Sequence, residues 1–191
     1  MTQYIIQSIQ TPGDGNCFYY AFLQCILERQ VTKEEVLSFK IKCFSFLTEK
    51  TLLPYCKEEV KYILSKAVES NKELSDLIEN KFDESINQPE INNLLQQVLQ
   101  SFKNHILLDG VWPHDWAQQY CAKVHKVNIL VYMDSCGKFT PIFEIEKEWP
   151  FILIFNKGNS HWESGVVICK KENESDKIIW KHSYENIKNL L

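Results

Sequence analysis

Apolar positions follow a helical rhythm through the first half of the chain and a strand-like pattern through the last third. They recur every three or four positions from Cys17 to about Glu28, and again through most of 50–108, which predicts helices. Later apolar runs rich in β-branched and aromatic residues predict strands at 127–133, 139–145, 150–156 and 161–169. Helices first and strands last is an α+β order, so we expect an α+β fold.

Local signals mark several element ends. Thr32 with Glu35 three positions later is a capping box, which predicts the start of a helix. Pro54 and Asn71 suggest the starts of two further helices, and Pro89 marks the first turn of the most regular one. The strand pattern at 161–169 contains Gly165, which suggests a β-bulge there. Residues 3–9 are either a short strand or an ordered lead-in.

Composition and charge narrow the function classes. The 191 residues carry a formal net charge of -4, and Arg29 is the only arginine, which argues against nucleic-acid binding. No apolar run approaches the roughly 18 residues that a membrane span needs, and no signal-peptide pattern is visible. Seven cysteines at irregular spacing favour a reducing compartment over a disulfide framework. We therefore expect no nucleic-acid or membrane partners, and we take a monomer as the default.

One pair of side chains could hold a metal ion. Cys121 and His125 lie one helical turn apart. A second such pair is missing from the sequence, and a zinc site needs about four ligands. The sequence therefore predicts no metal and no cofactor.

The stretch GDGNCFYY, residues 13–20, places Cys17 where a loop turns into a predicted helix. Free backbone N–H groups and the helix dipole at that position stabilise a thiolate, and the same groups can stabilise an oxyanion. Gly13 and Gly15 allow the sharp turn and the close substrate approach that this chemistry requires. The alternative is an ordinary turn followed by a buried cysteine.

A nucleophilic cysteine needs a base, and His161 is the best placed of the five histidines. It follows the loop NKGNS and opens a predicted strand, so a rigid sheet can hold its imidazole at a fixed distance from another element. The others lie near predicted helix ends or in the polar tail. A solvent-facing turn histidine is the alternative. Cys17 comes early and His161 late, an order shared with papain-like proteases.

With these residues in place, the sequence resembles the ovarian tumour (OTU) family of cysteine proteases. DGNCFYYAF resembles the catalytic loop of the family, and FILIFNKGNSHWES resembles its histidine strand. VWPHDWAQQYCAKVHKVNILVY resembles the helix and strand between them, and the three matches come in the family's order. The resemblance implies a papain-like fold, with a small central sheet between helical layers, and cleavage of ubiquitin from conjugates.

The resemblance implies roles for individual residues. Cys17 would be the nucleophile, and His161 the general base and then the acid that protonates the leaving amine. Backbone N–H groups from Asp14 to Cys17, in the loop that contains Gly15 and Asn16, would form the oxyanion hole.

The residue that orients His161 is left open between two acids. Many relatives have Asp or Asn two positions after the histidine, where this chain has Glu163, and others use an acid upstream of the cysteine, where Asp14 lies. We expect one of the two to orient His161 and the other to support the loop. Glu163 as a plain surface carboxylate is the alternative. Substrate contacts are expected at Trp162 and Asn159.

The resemblance also implies an organisation and a partner. We expect one catalytic domain, 1–191, with an enlarged helical arm at about 50–108 that is similar to the arm of some bacterial effector members. The expected partner is ubiquitin or polyubiquitin, in the cytoplasm, or in a host cytoplasm if the protein is an exported effector. Two alternatives stay open: a catalytically silent ubiquitin-binding module on the same fold, and a protease for another ubiquitin-like modifier.

Overall fold

The structure is a computed structural model that describes residues 2–134, 137–158, 160–171 and 175–187. Its elements in chain order are β1 (Thr2–Ile9), α1 (Cys17–Leu27), α2 (Lys33–Phe44), α3 (Glu49–Ala67), α4 (Lys72–Asn80), α5 (Phe82–Ser85), α6 (Pro89–Leu107), α7 (Asp115–His125), β2 (Asn128–Met133), β3 (Lys138–Pro141), β4 (Phe151–Lys157), β5 (His161–Lys171), β6 (Lys177–Ile179), β7 (Lys181–His182) and α8 (Tyr184–Ile187).

The strands form one mixed sheet. Its main path runs β1–β5–β4–β2–β3, with β6 paired to β5 and β7 paired to β4. β2 and β4 are parallel, and the other pairs are antiparallel. Seven of the eight described helices precede every described strand except β1, so the predicted α+β class is confirmed, and residues 3–9 belong to strand β1.

Both faces of the sheet carry helical residues. α1 packs against β4 and β5 on one face, where the ring of Phe18 meets that of Trp162 edge-on at 5.6 Å. The opposite face holds an apolar cluster that includes Leu153 of β4 and Ile187 of α8. Because β4 is buried on both faces, it reads as a continuous apolar run in the sequence.

Two predicted helix starts are confirmed by their hydrogen bonds. The Glu35 N–H donates to Thr32 Oγ1 at 3.3 Å, and the Thr32 N–H donates to Glu35 Oε2 at 2.8 Å, which is a reciprocal capping box. The side chain of Asn71 accepts from the Leu74 N–H and caps α4. These local interactions place the helix starts without help from distant residues.

The helix start suggested at Pro54 is wrong. α3 begins at Glu49, because Thr48 and Thr51 form a capping box six positions before the proline. Pro54 lies inside the helix, and the backbone of Cys56 departs from helical geometry, so the chain kinks there.

The bulge suggested at Gly165 is also wrong. Gly165 pairs in register with Leu153, and an added Cβ would lie 2.7 Å from the Leu153 Cβ, so the glycine permits a close cross-strand approach.

A separate helical unit spans Phe44–Leu108. Within it α3 packs against α6, and Lys103 Nζ donates to the backbone carbonyls of Ser45 and Leu47 at 3.1 and 3.0 Å. Every described element between 50 and 108 is helical, as the apolar rhythm predicts. The single catalytic domain with an arm stays a prediction. Among the described residues, no helix combines the length and the apolar character needed to cross a bilayer.

Candidate active site

Cys17 is the first residue of α1, directly after the N-cap residue Asn16. Its side chain is 2% exposed. Burial raises the pKa of the thiol above its ordinary value, although the backbone N–H groups of Trp162, Phe18 and Cys17 itself lower it. The helix start therefore supplies the predicted donors, but desolvation outweighs them. The raised pKa favours the protonated thiol of Cys17.

The loop before Cys17 is shaped by a contact between two glycines. Gly15 has φ +83°, a backbone conformation that residues with a Cβ rarely adopt. A Cβ on Gly15 would lie 2.0 Å from the carbonyl oxygen of Gly110, so the two backbone segments touch. Gly110 has φ +72°, and a Cβ there would lie 3.0 Å from the carbonyl oxygen of Asp14. The sequence indicated the glycines of the 13–16 loop but not their partner, which is 95 positions away and joins only through the fold.

Asp14 stabilises the same loop. Its Oδ1 accepts the Asn16 N–H at 3.0 Å, which closes an Asx turn, and its Oδ2 accepts from the Tyr20 hydroxyl at 3.4 Å. Burial and the nearby Asp14 charge raise the pKa of Tyr20 to about 12. Both carboxylate oxygens of Asp14 are thus engaged within the loop and α1. The Asn16 N–H, predicted among the oxyanion donors, is already used.

The side chain of Asn16 is held by charged groups that the sequence did not single out. Lys40 Nζ donates to Asn16 Oδ1 at 3.1 Å, and Asn16 Nδ2 donates to Asp109 Oδ1 at 2.7 Å. Asp109 in turn pairs with Lys33 at 2.6 Å. Lys40 is 0% exposed, and burial lowers its pKa to about 8. This chain of contacts anchors the residue before Cys17 to α2 and to the loop at 109.

His161 opens β5, and its Nε2 faces two possible partners. Thr11 Oγ1 lies 3.4 Å away, and Glu163 Oε1 lies 3.9 Å away. Thr11, which is 4% exposed, also donates its hydroxyl hydrogen to the carbonyl oxygen of Trp162. Glu163 Oε2 lies 3.8 Å from Lys157 Nζ. Glu163 therefore stands beside His161, as the i, i+2 strand spacing predicts, but Thr11 is the closer contact.

Nothing in the sequence marked Thr11 as a site residue. It lies in the segment before the cysteine loop, 150 positions from His161. The feature that would have pointed to Thr11 is the burial of its hydroxyl in the loop before the nucleophile. The burial of a side chain cannot be read from one sequence.

The two predicted substrate contacts have different outcomes. Trp162 is 9% exposed, and its ring packs against Phe18, which is a core position. This placement favours a packing role for the indole over the wall of a substrate channel. Asn159 lies outside the described residues, and its contact stays a prediction.

The predicted Cys121–His125 pair has a third neighbour. The sulfur of Cys43 lies 3.9 Å from that of Cys121, and His125 donates a hydrogen bond to Cys43. Among the described residues, no group of three or more His, Cys, Asp or Glu side chains has an arrangement suited to a metal ion.

No protein-family model matches the chain, and no curated protein matches it in sequence. Among solved structures, the chain is similar to the OTU domain of OTUD1, at 14% identity and a TM-score of 0.49 over 84% of this chain and 85% of that one. It is also similar to an OTU deubiquitinase from Wolbachia pipientis wMel, at 15% identity and a TM-score of 0.46 over 84% and 87%. The Hazara virus OTU bound to ubiquitin is 12% identical, with a TM-score of 0.45 over 87% and 83%.

Proposed function

We propose that the chain is a cysteine isopeptidase that removes ubiquitin from the lysine side chains of substrates or of other ubiquitins. The observation that carries the proposal is the hydrogen bond from the Trp162 N–H to the sulfur of Cys17. It brings the helix-initiating cysteine against the residue that follows His161, from the opposite end of the chain. Ubiquitin is proposed as the modifier because the DGNC and SHW segments resemble the two OTU signatures.

The first half of the reaction uses Cys17 and His161. The imidazole takes the thiol proton, and the thiolate attacks the carbonyl carbon of the isopeptide bond. The oxyanion that forms is stabilised by backbone donors at the start of α1, such as the Cys17 N–H. The Asn16 N–H has a different task, because it already donates to Asp14. Gly15 and Asn16 therefore act by holding the loop in shape.

The second half releases the two products in turn. The tetrahedral adduct collapses, the imidazolium of His161 protonates the departing lysine amine, and the ubiquitin C-terminus remains on Cys17 as a thioester. A water molecule, deprotonated by the same imidazole, then attacks the thioester and frees both the carboxylate and the thiol. The scheme needs only a thiol, an imidazole and backbone donors.

Thr11 is proposed to orient His161. Its single hydroxyl hydrogen is given to the Trp162 carbonyl, so its oxygen can only accept a hydrogen bond from His161 Nε2. That contact favours the tautomer with the proton on Nε2 and leaves Nδ1 free to act as the base. Asp14 supports the loop, as predicted for one of the two acids, and Glu163 contributes negative charge near the imidazolium.

Removing the Thr11 hydroxyl should therefore harm catalysis more than neutralising Glu163. We expect Thr11→Val to lower kcat by about tenfold or more with little change in KM, and Glu163→Gln to lower it less than about threefold. Thr11→Ser keeps the hydroxyl and should restore most of kcat. Steady-state cleavage of a fluorogenic ubiquitin substrate measures these values. A larger loss from Glu163→Gln than from Thr11→Val would assign the orienting role to the glutamate.

The function is tested with ubiquitin that carries an electrophile at its C-terminus. Wild-type protein should form a covalent adduct, and peptide mapping should place it on Cys17. Matched probes built on other ubiquitin-like modifiers test the choice of modifier. Adduct formation only with another modifier would replace ubiquitin in the proposal.

The same experiment separates an enzyme from a binding module. Ubiquitin binding without labelling of Cys17 would favour the catalytically silent module. Labelling at a cysteine other than Cys17 would contradict the mechanism.

We further propose a monomer that acts in the cytoplasm without nucleic-acid or membrane partners, in keeping with the acidic composition and the single arginine. A role as an exported effector stays a prediction.

A further inference from the structure

Away from the candidate active site, two cysteines on different helices lie with their sulfurs in contact. Cys43 Sγ of α2 and Cys121 Sγ of α7 are 3.9 Å apart and share a hydrogen bond, although 78 positions separate them in the chain. A disulfide holds its sulfurs about 2 Å apart. A shift of about 2 Å, shared by two side-chain rotations and small movements of the helices, would bring this pair to bonding distance.

The two thiols differ in acidity. Hydrogen bonds from Cys121 and His125 lower the pKa of Cys43 to about 6, against the opposing effect of burial. Burial raises the pKa of Cys121 well above its ordinary value, and the neighbouring Cys43 raises it further. Cys43 is therefore the more acidic thiol of the pair. A nucleophilic cysteine and its resolving partner require such a difference in thiol pKa.

Access also differs between the two sulfurs. Cys43 and His125 line an open groove of about 600 Å³, whereas Cys121 is 0% exposed. The His125 ring is held in place by Phe22 and Phe39, with ring centroids 5.5 and 5.4 Å away. A small molecule in the groove can thus reach Cys43, which is 7% exposed, before it reaches Cys121.

We propose that Cys43 is an oxidation site for a small hydroperoxide, and that Cys121 resolves the oxidised form as a disulfide that joins α2 to α7. The Cys43 thiolate attacks the hydroperoxide oxygen, an S–O bond forms, the O–O bond breaks, and the departing oxygen takes a proton from water. The Cys121 sulfur then attacks the sulfenic sulfur, an S–S bond forms, the S–O bond breaks, and the hydroxide leaves as water with the thiol proton. The two sulfurs lose two electrons, and the peroxide gains them.

This inference does not depend on the proposed isopeptidase activity, because neither sulfur takes part in that mechanism. It is tested on the full chain by treating reduced protein with a small excess of hydrogen peroxide, alkylating the remaining thiols and digesting with trypsin. Cleavage after lysine and arginine places Cys43 in peptide 43–50 and Cys121 in peptide 104–123, separate from Cys17 and Cys25 in peptide 1–29. We expect the first two peptides linked, lighter by two hydrogens than their sum, and separated again by dithiothreitol.

Variants test the separate roles of the two sulfurs. In Cys121→Ser we expect no linked peptide and a sulfenic acid at Cys43 that dimedone captures, and in Cys43→Ser we expect Cys121 to stay reduced. Cys25→Ser is the matched control, because Cys25 is buried on α1 with its pKa raised to about 12, and it should leave the 43–121 link unchanged. Wild-type protein that yields no 43–121 link, or that links Cys43 to a different cysteine, would overturn the proposal, as would oxidation of Cys121 in Cys43→Ser at the wild-type level.

Discussion

Replacing Cys17 with alanine is expected to abolish cleavage of ubiquitin chains, with a loss of at least about a thousandfold in kcat. The change removes the sulfur that would form the thioester, and the Thr11 hydroxyl beside His161 already donates its hydrogen to the Trp162 carbonyl. The protein should remain folded, because loss of one buried sulfur destabilises a core by about 1 kcal/mol. Chain cleavage followed on gels, with circular dichroism as the check on folding, measures both effects.

Cys25→Ala is the matched control for this prediction. Cys25 lies on the same helix, two turns later, and is 0% exposed. The same substitution there should keep cleavage within about threefold of the wild-type rate, since the Cys25 sulfur only donates to the backbone carbonyl of Leu153 in the core. Cleavage that survives Cys17→Ala would remove the proposed mechanism, and equal losses in both variants would point to damage to the fold.

The second large effect is expected from Gly15→Ala. The alanine would have to adopt φ +83° and would place its Cβ 2.0 Å from a backbone oxygen of Gly110. Neither backbone can yield without moving the loop that precedes Cys17. We expect the free energy of unfolding to fall by about 2–4 kcal/mol, and kcat to fall by about a hundredfold, because displacement of the loop misplaces the sulfur and its N–H donors. Urea unfolding and cleavage assays measure the two losses.

Two other glycines separate the causes of this effect. Gly13 has no atom within 4 Å of an added Cβ, so Gly13→Ala should change the unfolding free energy by less than about 1 kcal/mol. Gly137 has φ +65° in open space, so Gly137→Ala should lose only the conformational contribution of about 1 kcal/mol and keep full activity. If Gly15→Ala lost no more unfolding free energy than Gly137→Ala and kept full activity, the contact between Gly15 and Gly110 would contribute nothing to stability.

Helices and buried strands were predictable because their signals are local. The capping box at Thr32 and Glu35 and the cap at Asn71 form between residues three positions apart, and both are present as expected. The prediction at Pro54 failed because a proline marks a helix start only when no better cap precedes it, and Thr48 provides one. The strand predicted at 139–145 is shorter and ends at Pro141, although the Ile142 N–H still donates to the Ile129 carbonyl at 3.4 Å.

The candidate site was predictable only in part. Cys17 and His161 could be identified because each sits at a transition from loop to regular structure, and the loop glycines lie beside them in the chain. Asp14 and Glu163 could be proposed as the acids that orient His161 or support the loop, but the sequence could not say which acid has which role. Their ranking against Thr11 depends on side-chain directions that span 150 positions.

By itself, the sequence determined the α+β order of the elements, the helix start that presents Cys17 and the strand that presents His161, because short-range spacing encodes each of them. Only the tertiary structure decided what surrounds these residues: the Gly15–Gly110 contact, the Lys40 ammonium on Asn16, and the burial that favours the Cys17 thiol. It also decided that Cys43 meets Cys121. Such contacts join positions far apart in the chain, and desolvation depends on everything packed around a group, so neither can be read from local patterns.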